Sequence, residues 1–568
     1  MGALTGDGFD LGTHSFAVTT RSPDAQRWFD FGLNWCFGFN HDEAAKCFAR
    51  CLEHDPECAM AHWGIAYASG PFYNYPWRHF GPNELAARTQ RCHRNIEQAR
   101  ELAATATPTE RALIEALGSR FPQPLPKSFD DCDQWDDDYR DAMRAVHQRF
   151  PDDHDVMTLF VEALITRTPW RLWDVASGEP AKGADTVEAL EICDRSIAMS
   201  KSAGEVSHPG VLHLHIHTLE MSHHPEHAMR SADELDGQCP DNGHLNHMPG
   251  HVYVLCGEYE KARLASAKAI AADNKYVDYA GPLTFFTTNR CHDLHLMMYT
   301  CMLQGRFADA MTAADQICET LTPQVLGVDG LPQLAATMEG YFSMRMHVLV
   351  RFGRWQDIVD APLPPDPELY CVSLAMHHYA KGVATAALGN FDTAELHRDA
   401  FHEAVKNVPE SRRFFNNAAT DVLAVGEKML DGELAYHQGD VEEAFEHLRE
   451  SVHRDDDLAY TEPWAWMHPP RHALGALLIE QGQFAEAEAI YRADLGLDDS
   501  LQRCSQHPKN VWSLHGLVEC LATRGETQVH ATVQELLALA LAEADVPIVS
   551  SCMCRGAASA DTEASGPA

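Results

Sequence analysis

The chain has 568 residues, 45% apolar and 22% charged, a globular profile too long for one core, so several domains or a repeat array are expected. Forty-four Lys and Arg against 83 Asp and Glu give a net charge of −39, which excludes polyanionic partners: no nucleic acid and no anionic membrane surface. Histidine is the unusual residue, with 33 copies, and it is the commonest metal ligand.

Residues 1–21 read as a polar N-terminal extension without the apolar core of a secretory signal, and no run of 18 apolar residues follows. The 17 cysteines are scattered singly, the pattern of reduced thiols in a cytoplasmic protein. Residues 22–104 open an amphipathic helical pattern with Trp28-x2-Phe31-Gly32-x2-Trp35, then Ala44, Phe48, Cys51 and Pro56. Small residues in such a pattern let two helices approach, and aromatics fill the gap. Phe39 to Glu43 reads as the cap of the second helix. Residues 105–185 carry Pro122, Pro124 and Pro126, an acidic run Asp130–Asp138 and an insert at 168–184, and are expected to be irregular helices and loops. Trp170 and Trp173 in that insert are placed to wall a site. Residues 186–320 form a central His-rich region with a third insert at 274–290. Residues 321–542 continue the helical pattern, with a stiff connector at Pro362–Pro367. Residues 543–568 read as a disordered tail containing Cys552-x-Cys554.

One turn signature recurs: Gly257-x-Tyr259-x2-Ala262, Gly305-x-Phe307-x2-Ala310, Gly353-x-Trp355, Gly389-x-Phe391-x2-Ala394, Gly439-x-Val441-x2-Ala444 and Gly482-x-Phe484-x2-Ala487. With the Trp28–Pro56 unit, it resembles the tetratricopeptide repeat, a 34-residue helix–turn–helix motif. The resemblance covers most of residues 26–540. It implies an all-α, tetratricopeptide-like helical-repeat superhelix, an α-α solenoid of the kind that usually binds other proteins.

The histidines gather in His208-Pro-Gly-Val-Leu-His213-Leu-His215-Ile-His217-Thr-Leu-Glu220 and in His244-Leu-Asn-His247-Met-Pro-Gly-His251. His213 and His217 are four apart, as are His247 and His251, so each pair shares a helical face. The two pairs lie 34 residues apart, one repeat length. In tetratricopeptide repeats the second, fifth, ninth and twelfth places of the first helix line a concave groove. That resemblance puts His213, His217, Glu220, His244, His247, His251, His292 and His295 on groove places, with Glu162 joining them from a helix over 154–167. His215 points into the helix packing instead. Pro249 reads as part of a helix's first turn, with His247 at its start. His14, His79, His147 and His507 read as ordinary core or surface histidines, and His223, His224 and His227 as residues of an exposed turn.

Imidazoles with carboxylates suit Zn, Fe, Mn or Cu, and this set is large enough for one or two ions. Glu220 or Glu162 is then a ligand or a general base. His-Glu-x-x-His, phosphate-binding glycine loops and Gly-x-Ser-x-Gly are all absent from the sequence. Beyond the general repeat, the chain resembles a group of tetratricopeptide proteins sharing a His-Pro-Gly…Ile-His-x-x-Glu segment and a His-Leu-x-His-Met-Pro-x-His-x-Tyr segment, here His208–Glu220 and His244–Tyr253. Three functions fit. The first is a metal-dependent enzyme acting on a small molecule, hydrolytic or oxidative. The second is a scaffold taking a protein or peptide partner in the groove, and the third is metal storage or delivery. The Lys, Arg and Asn clamps of a peptide groove are missing at the assigned places, which favours the enzyme.

Overall fold

The computed structural model describes residues 5–6, 8–284, 286–328, 333–525 and 527–555. It divides into two compact units, one of Met1–Val252 with Ala267–Tyr276, the other of Tyr253–Ser266 with Val277–Ala568. The first holds α1 (Pro23–Phe37), α2 (His41–His54), α3 (Ala59–Ser69), α4 (Pro82–Leu102), α5 (Pro108–Arg120), α6 (Phe129–Arg149), α7 (His154–Ile165), α8 (Thr186–Ala203), α9 (Pro209–Leu219) and α10 (Met229–Leu235). Helices α11 (Gly243–Leu255) and α12 (Tyr259–Ala280) have residues in both units. The second holds α13 (Thr287–Gln304), α14 (Phe307–Thr320), α15 (Pro323–Leu326), α16 (Gln333–Met338), α17 (Met344–Arg351), α18 (Trp355–Asp360), α19 (Cys371–Ala387), α20 (Phe391–Lys406), α21 (Ala419–Gln438), α22 (Val441–Asp456), α23 (Pro470–Glu480), α24 (Phe484–Asp494), α25 (Val511–Arg524) and α26 (Thr527–Glu543). Among the described residues the only strands are two-residue pieces of two small hairpins, at Thr5–Asp10 and Arg413–Ala418. The protein is an all-α helical-repeat chain, and consecutive helices pack on one another. No described helix is long and apolar enough to cross a membrane.

The repeat signature works by close approach. A Cβ added to Gly32 of α1 or to Gly64 of α3 would lie 2.6 Å from the ring of Phe48. Phe48 of α2 is therefore wedged between two helices whose backbones only glycine lets so near, and it is fully buried. The second unit repeats the device with Tyr491 of α24 between Gly475 of α23 and Gly516 of α25, where added Cβ atoms would lie 2.5 and 2.3 Å away. The recurrent turn glycines 257, 305, 353, 389, 439 and 482 all have positive φ. Gly305 shows why: in that conformation its N–H turns back to the Cys301 and Met302 carbonyls and closes α13.

Three expectations are corrected. The acidic run Asp130–Asp138 belongs to a regular 21-residue helix, α6, which buries Cys132, Trp135, Tyr139, Met143 and Val146 at helical spacing. Its upstream neighbour α5 begins with a Thr107–Glu110 capping box. The insert expected at 274–290 shrinks to the break between Ala280 and Thr287, because α12 and α13 extend into it. The tail is ordered as far as residue 555: Ile548, Ser551 and Cys554 are buried, and residues 556–568 lie outside the described residues. The insert at 168–184 is irregular, with a β-bridge between Trp173 and Pro180.

Candidate metal centre

Helix α9 begins where His208 caps it: Nδ1 accepts from Gly210 N (3.0 Å) and Val211 N (3.4 Å), with Pro209 at the first helical position. The next two turns place His213 and His217 on one face, with Glu220 three residues on. Helix α11 begins earlier than the proline suggests. Asn242 Oδ1 accepts from Leu245 N (3.2 Å), and Pro249 lies inside the helix. The cap lies within Pro-Asp-Asn-Gly, and it moves His247 from the helix start into its body. His244, His247 and His251 then come off successive turns of α11. His215 turns away, with Nδ1 on Ser231 Oγ at 2.8 Å.

These side chains meet. Ring centroids are 4.8 Å apart for His213–His217, 4.9 Å for His213–His244, 5.9 Å for His244–His247, 4.5 Å for His247–His251 and 6.1 Å for His217–His251. One nitrogen from each of His213, His217 and His244 lies within 4.8 Å of the others. All five histidines and Glu220 are at most 1% exposed.

The hydrogen bonds fix the tautomers. His213 Nδ1 is 2.7 Å from the Phe37 carbonyl, which only accepts, so Nδ1 carries the proton and Nε2 presents a bare lone pair. Glu220 does the same for two rings at once. Its Oε1 accepts from His217 Nδ1 (2.8 Å) and its Oε2 from His251 Nδ1 (2.6 Å). His217 Nε2 is buried and has no hydrogen-bond partner. His213 Nε2 faces His244 Nε2 at 3.2 Å, and His251 Nε2 faces His247 Nε2 at 2.6 Å.

Burial pushes the His213 and His251 imidazoles below their usual range, in His251 against the pull of Glu220. Burial alone would raise Glu220, but the imidazoles of His217 and His251 overcome it and hold the carboxyl at about 2. The result is an ionised carboxylate buried between the His217 and His251 rings. A cation at the Nε2 face would balance it, and 3.2 Å between two ligand nitrogens matches neighbouring ligands on a tetrahedral ion with bonds of about 2.0 Å. The donor set, imidazole with an orienting carboxylate and a backbone carbonyl behind it, is the arrangement that holds metal-binding histidines in register.

The wall of the cluster comes from elements with no metal-ligand signature. The turn between α1 and α2 brings the Phe39 ring to 4.5 Å from His213, 5.8 Å from His217 and 5.0 Å from His244. Phe39 sits at φ +57, a conformation a phenylalanine rarely adopts, which costs on the order of 1–3 kcal/mol. Asn40 beside it does cap α2, as expected. Tyr73 lies 4.6 Å from His217, and its hydroxyl accepts from Trp170 N (3.0 Å). Trp170 packs on Tyr73 (5.4 Å) and stacks on His79 (6.2 Å), and Trp173 Nε1 ties the insert to the Thr218 carbonyl of α9 (2.6 Å).

Glu162, His292 and His295 come from other helices. Glu162 of α7 accepts from Thr166 Oγ1 (2.8 Å) and faces Arg120 at 3.9 Å, and it makes no hydrogen bond to the five histidines. Burial raises its carboxyl despite Arg120. His292 and His295 belong to α13 of the second unit. His292 packs on Phe415 at 5.3 Å and His295 edge-on to Tyr341 at 4.7 Å. Burial lowers His295 to about 3, and neither of its ring nitrogens has a hydrogen-bond partner. In the same unit, Arg471 pairs with Asp456, and His468 lies between His347 (3.0 Å) and Tyr379 (3.2 Å). A second cluster in the first unit joins distant segments. Asp155 accepts from His14 Nε2 (2.9 Å) and His208 Nε2 (3.2 Å), so His14 pins the N-terminal segment to α7.

The chain is similar to solved structures at low identity. The human IFIT1 dimer with m7Gppp-AAAA matches at 10% identity and TM-score 0.31, covering 92% of this chain and 91% of that one. The APC/C hetero-tetramer Cut9–Hcn1 matches at 12% and 0.29, covering 92% and 78%. Yeast Tom70 matches at 11% and 0.27, covering 92% of both. No protein-family model and no curated protein matches the chain. Scores this low leave function to the chemistry of the site.

Proposed function

We propose that the first unit holds a transition-metal ion of the imidazole-binding class (Zn, Fe, Cu or Mn) on Nε2 of His213, His217 and His244. His247 and His251 stand beside it, and Glu220 and the Phe37 carbonyl orient the ligands. The observation that carries this reading is the hydrogen-bond pattern. Acceptors behind the rings leave Nε2 unprotonated on His213 and His217, next to a buried, ionised carboxylate. A purely structural polar core would be expected to satisfy those atoms; His217 Nε2 is unsatisfied. Three histidine ligands leave a coordination position open, the arrangement of a catalytic rather than a structural site. Such an ion supplies Lewis-acid or redox chemistry to a small molecule bound there. We therefore read the protein as a metal-dependent enzyme on a helical-repeat frame. Burial of the cluster speaks against these histidines serving as a peptide-binding surface, because a peptide would meet them only after displacing the wall.

The test is metal content. Protein made without a histidine tag, and kept from chelating resin, is expected to contain about one equivalent of a transition metal. A His213→Ala/His217→Ala variant with unchanged circular dichroism should contain none. Metal-free wild-type protein that takes up none of Zn, Fe, Cu or Mn on titration would end this reading.

A further inference from the structure

The C-terminal segment, expected to be disordered, is instead built into the second unit. Ala544 and Ile548 pack at Gly305, and Met553 packs at Gly353. Tyr491 and Ser551 hydroxyls meet at 2.6 Å, and Arg555 pairs with Glu519 at 2.8 Å. This seating places Cys552-x-Cys554 over a buried guanidinium. Arg351 is 5% exposed, donates from Nη2 to the Ser551 carbonyl (2.6 Å), stacks on Trp512 at 3.6 Å, and its Nε has no partner. The backbone N–H of Cys554 donates to Cys552 Sγ at 3.2 Å, which folds the two thiols toward each other.

We propose that Cys552 and Cys554 form a peroxide-oxidisable dithiol, the oxidation site of this chain, whose product is a Cys552–Cys554 disulfide. The reaction partner is a hydroperoxide. The Cys552 thiolate attacks one peroxide oxygen, the O–O bond breaks, and the leaving alkoxide takes a proton and departs as an alcohol, or as water from hydrogen peroxide. Cys552 is left as a sulfenic acid. The Cys554 sulfur attacks the Cys552 sulfur, the S–S bond forms, the S–O bond breaks, and the hydroxide leaves as water with the Cys554 proton. Two thiols and one hydroperoxide thus give one disulfide, one alcohol and one water.

Three observations assign the first step to Cys552. Of the 17 cysteines, only Cys256, Cys318 and Cys552 are not fully buried, so few thiols are open to a solute. Burial alone would raise the Cys552 thiol. The Cys554 thiol and N–H, with the Arg351 and Arg555 guanidiniums, bring it below its ordinary value. Burial pushes Cys554 well above its ordinary value, with Cys552 adding to it, so one sulfur is the nucleophile and its neighbour the resolving thiol. Cys318 lacks this help, and burial takes it up to about 12. A disulfide across one intervening residue closes a small strained ring, and strained disulfides are the easily reduced ones.

The test uses the full chain, reduced, freed of thiol and treated with a small excess of hydrogen peroxide. After alkylation, peptide mass spectrometry should show the peptide with both cysteines lighter by two hydrogens, reversed by dithiothreitol. Cys554→Ser should stop at a dimedone-reactive sulfenic acid on Cys552. Cys552→Ser should give neither product. The proposal is overturned if Cys256 or Cys318 oxidises before Cys552, if the two-hydrogen loss is missing, or if Cys554→Ser leaves the product unchanged.

Discussion

Glu220→Gln is the sharpest perturbation of the proposed centre. Glu220 is 0% exposed and accepts from His217 Nδ1 at 2.8 Å and from His251 Nδ1 at 2.6 Å. Glutamine keeps the shape and removes the charge. Its amide has one acceptor oxygen and one donor nitrogen, so only one imidazole keeps an acceptor behind Nδ1. The other ring meets an NH2 group and must move its proton to Nε2, which takes a lone pair off the metal face. Outer partners of this kind are worth about 10–100-fold in metal affinity, or about 1.4–2.7 kcal/mol. Metal-free protein should respond in the other direction or not at all, because an uncompensated buried charge has gone. Competition against a chromophoric chelator reads the affinity, and thermal unfolding with and without Zn reads the two stabilities. A glutamine variant that binds metal as tightly as the wild type would refute the orienting role. So would a variant whose metal-free form loses more stability than its metal-bound form.

Three further outcomes follow from the packing and the buried charges. Burial holds His41, His295 and His347 at about 3 and His208, His377 and His472 at about 4. The folded chain therefore binds fewer protons than the unfolded one below about pH 6.5; stability is full above that pH and falls as pH drops, by about 2 kcal/mol per group at pH 5. Denaturant midpoints of metal-free protein at pH 5, 6, 7 and 8 check this, and a flat profile contradicts it. His14 has the opposite sign. Burial would lower it, but Asp155 and Asp30 outweigh burial and raise it, so its contribution is present below pH 6.5 and lost as pH rises through the raised value. Hydrogen exchange in residues 9–18 should quicken with His14→Ala at pH 6 more than at pH 8, after correction for intrinsic rates. Gly32→Ala forces a Cβ to 2.6 Å from the Phe48 ring and should cost about 1–3 kcal/mol in chemical unfolding, whereas an exposed turn residue changed to alanine should not.

The repeat was legible because its signals are local. Gly32 and Phe48 act through neighbouring helices and the turn glycines through their own backbone conformation, so their spacing carries the packing. The histidine pairs were legible for the same reason: four residues is one helical turn, and 34 is one repeat. What spacing could not carry is whatever arrives from another part of the chain. Phe37 and Phe39 reach the histidines from a turn some 170 residues earlier, as His213 Nδ1 on the Phe37 carbonyl shows. Glu162 was placed on the inward face by its frame, but Arg120 comes to it from α5, and no pattern in either segment announces the pair. The acidic stretch in α6 misled because charge was weighed ahead of period: Cys132, Trp135, Tyr139 and Met143 already spell a buried face. Asn242 is obscured for a smaller reason: Pro249 lies inside α11, where a proline ordinarily marks a helix's first turn.

The energetics of the cluster argue that it is not merely tolerated. Five imidazoles and a carboxylate fill positions that leucine or phenylalanine would fill at lower cost, since burying an ion without a counter-ion costs several kcal/mol. Phe39 adds backbone strain beside them. A cation at the Nε2 face would neutralise Glu220 through two imidazoles and use the unpartnered His217 nitrogen, so in the proposed loaded state both costs would be offset. Ligand binding to the folded state alone stabilises it by about 2.7 kcal/mol at a free concentration 100 times Kd. A rise in unfolding temperature on metal addition, absent in His213→Ala/His217→Ala, is therefore the expected thermodynamic signature, and it requires no knowledge of the reaction. If the metal-free protein were as stable as the metal-treated one at saturating ion, the unsatisfied nitrogens and the strained turn would have no compensation, and the assignment of this cluster as a metal centre would fail.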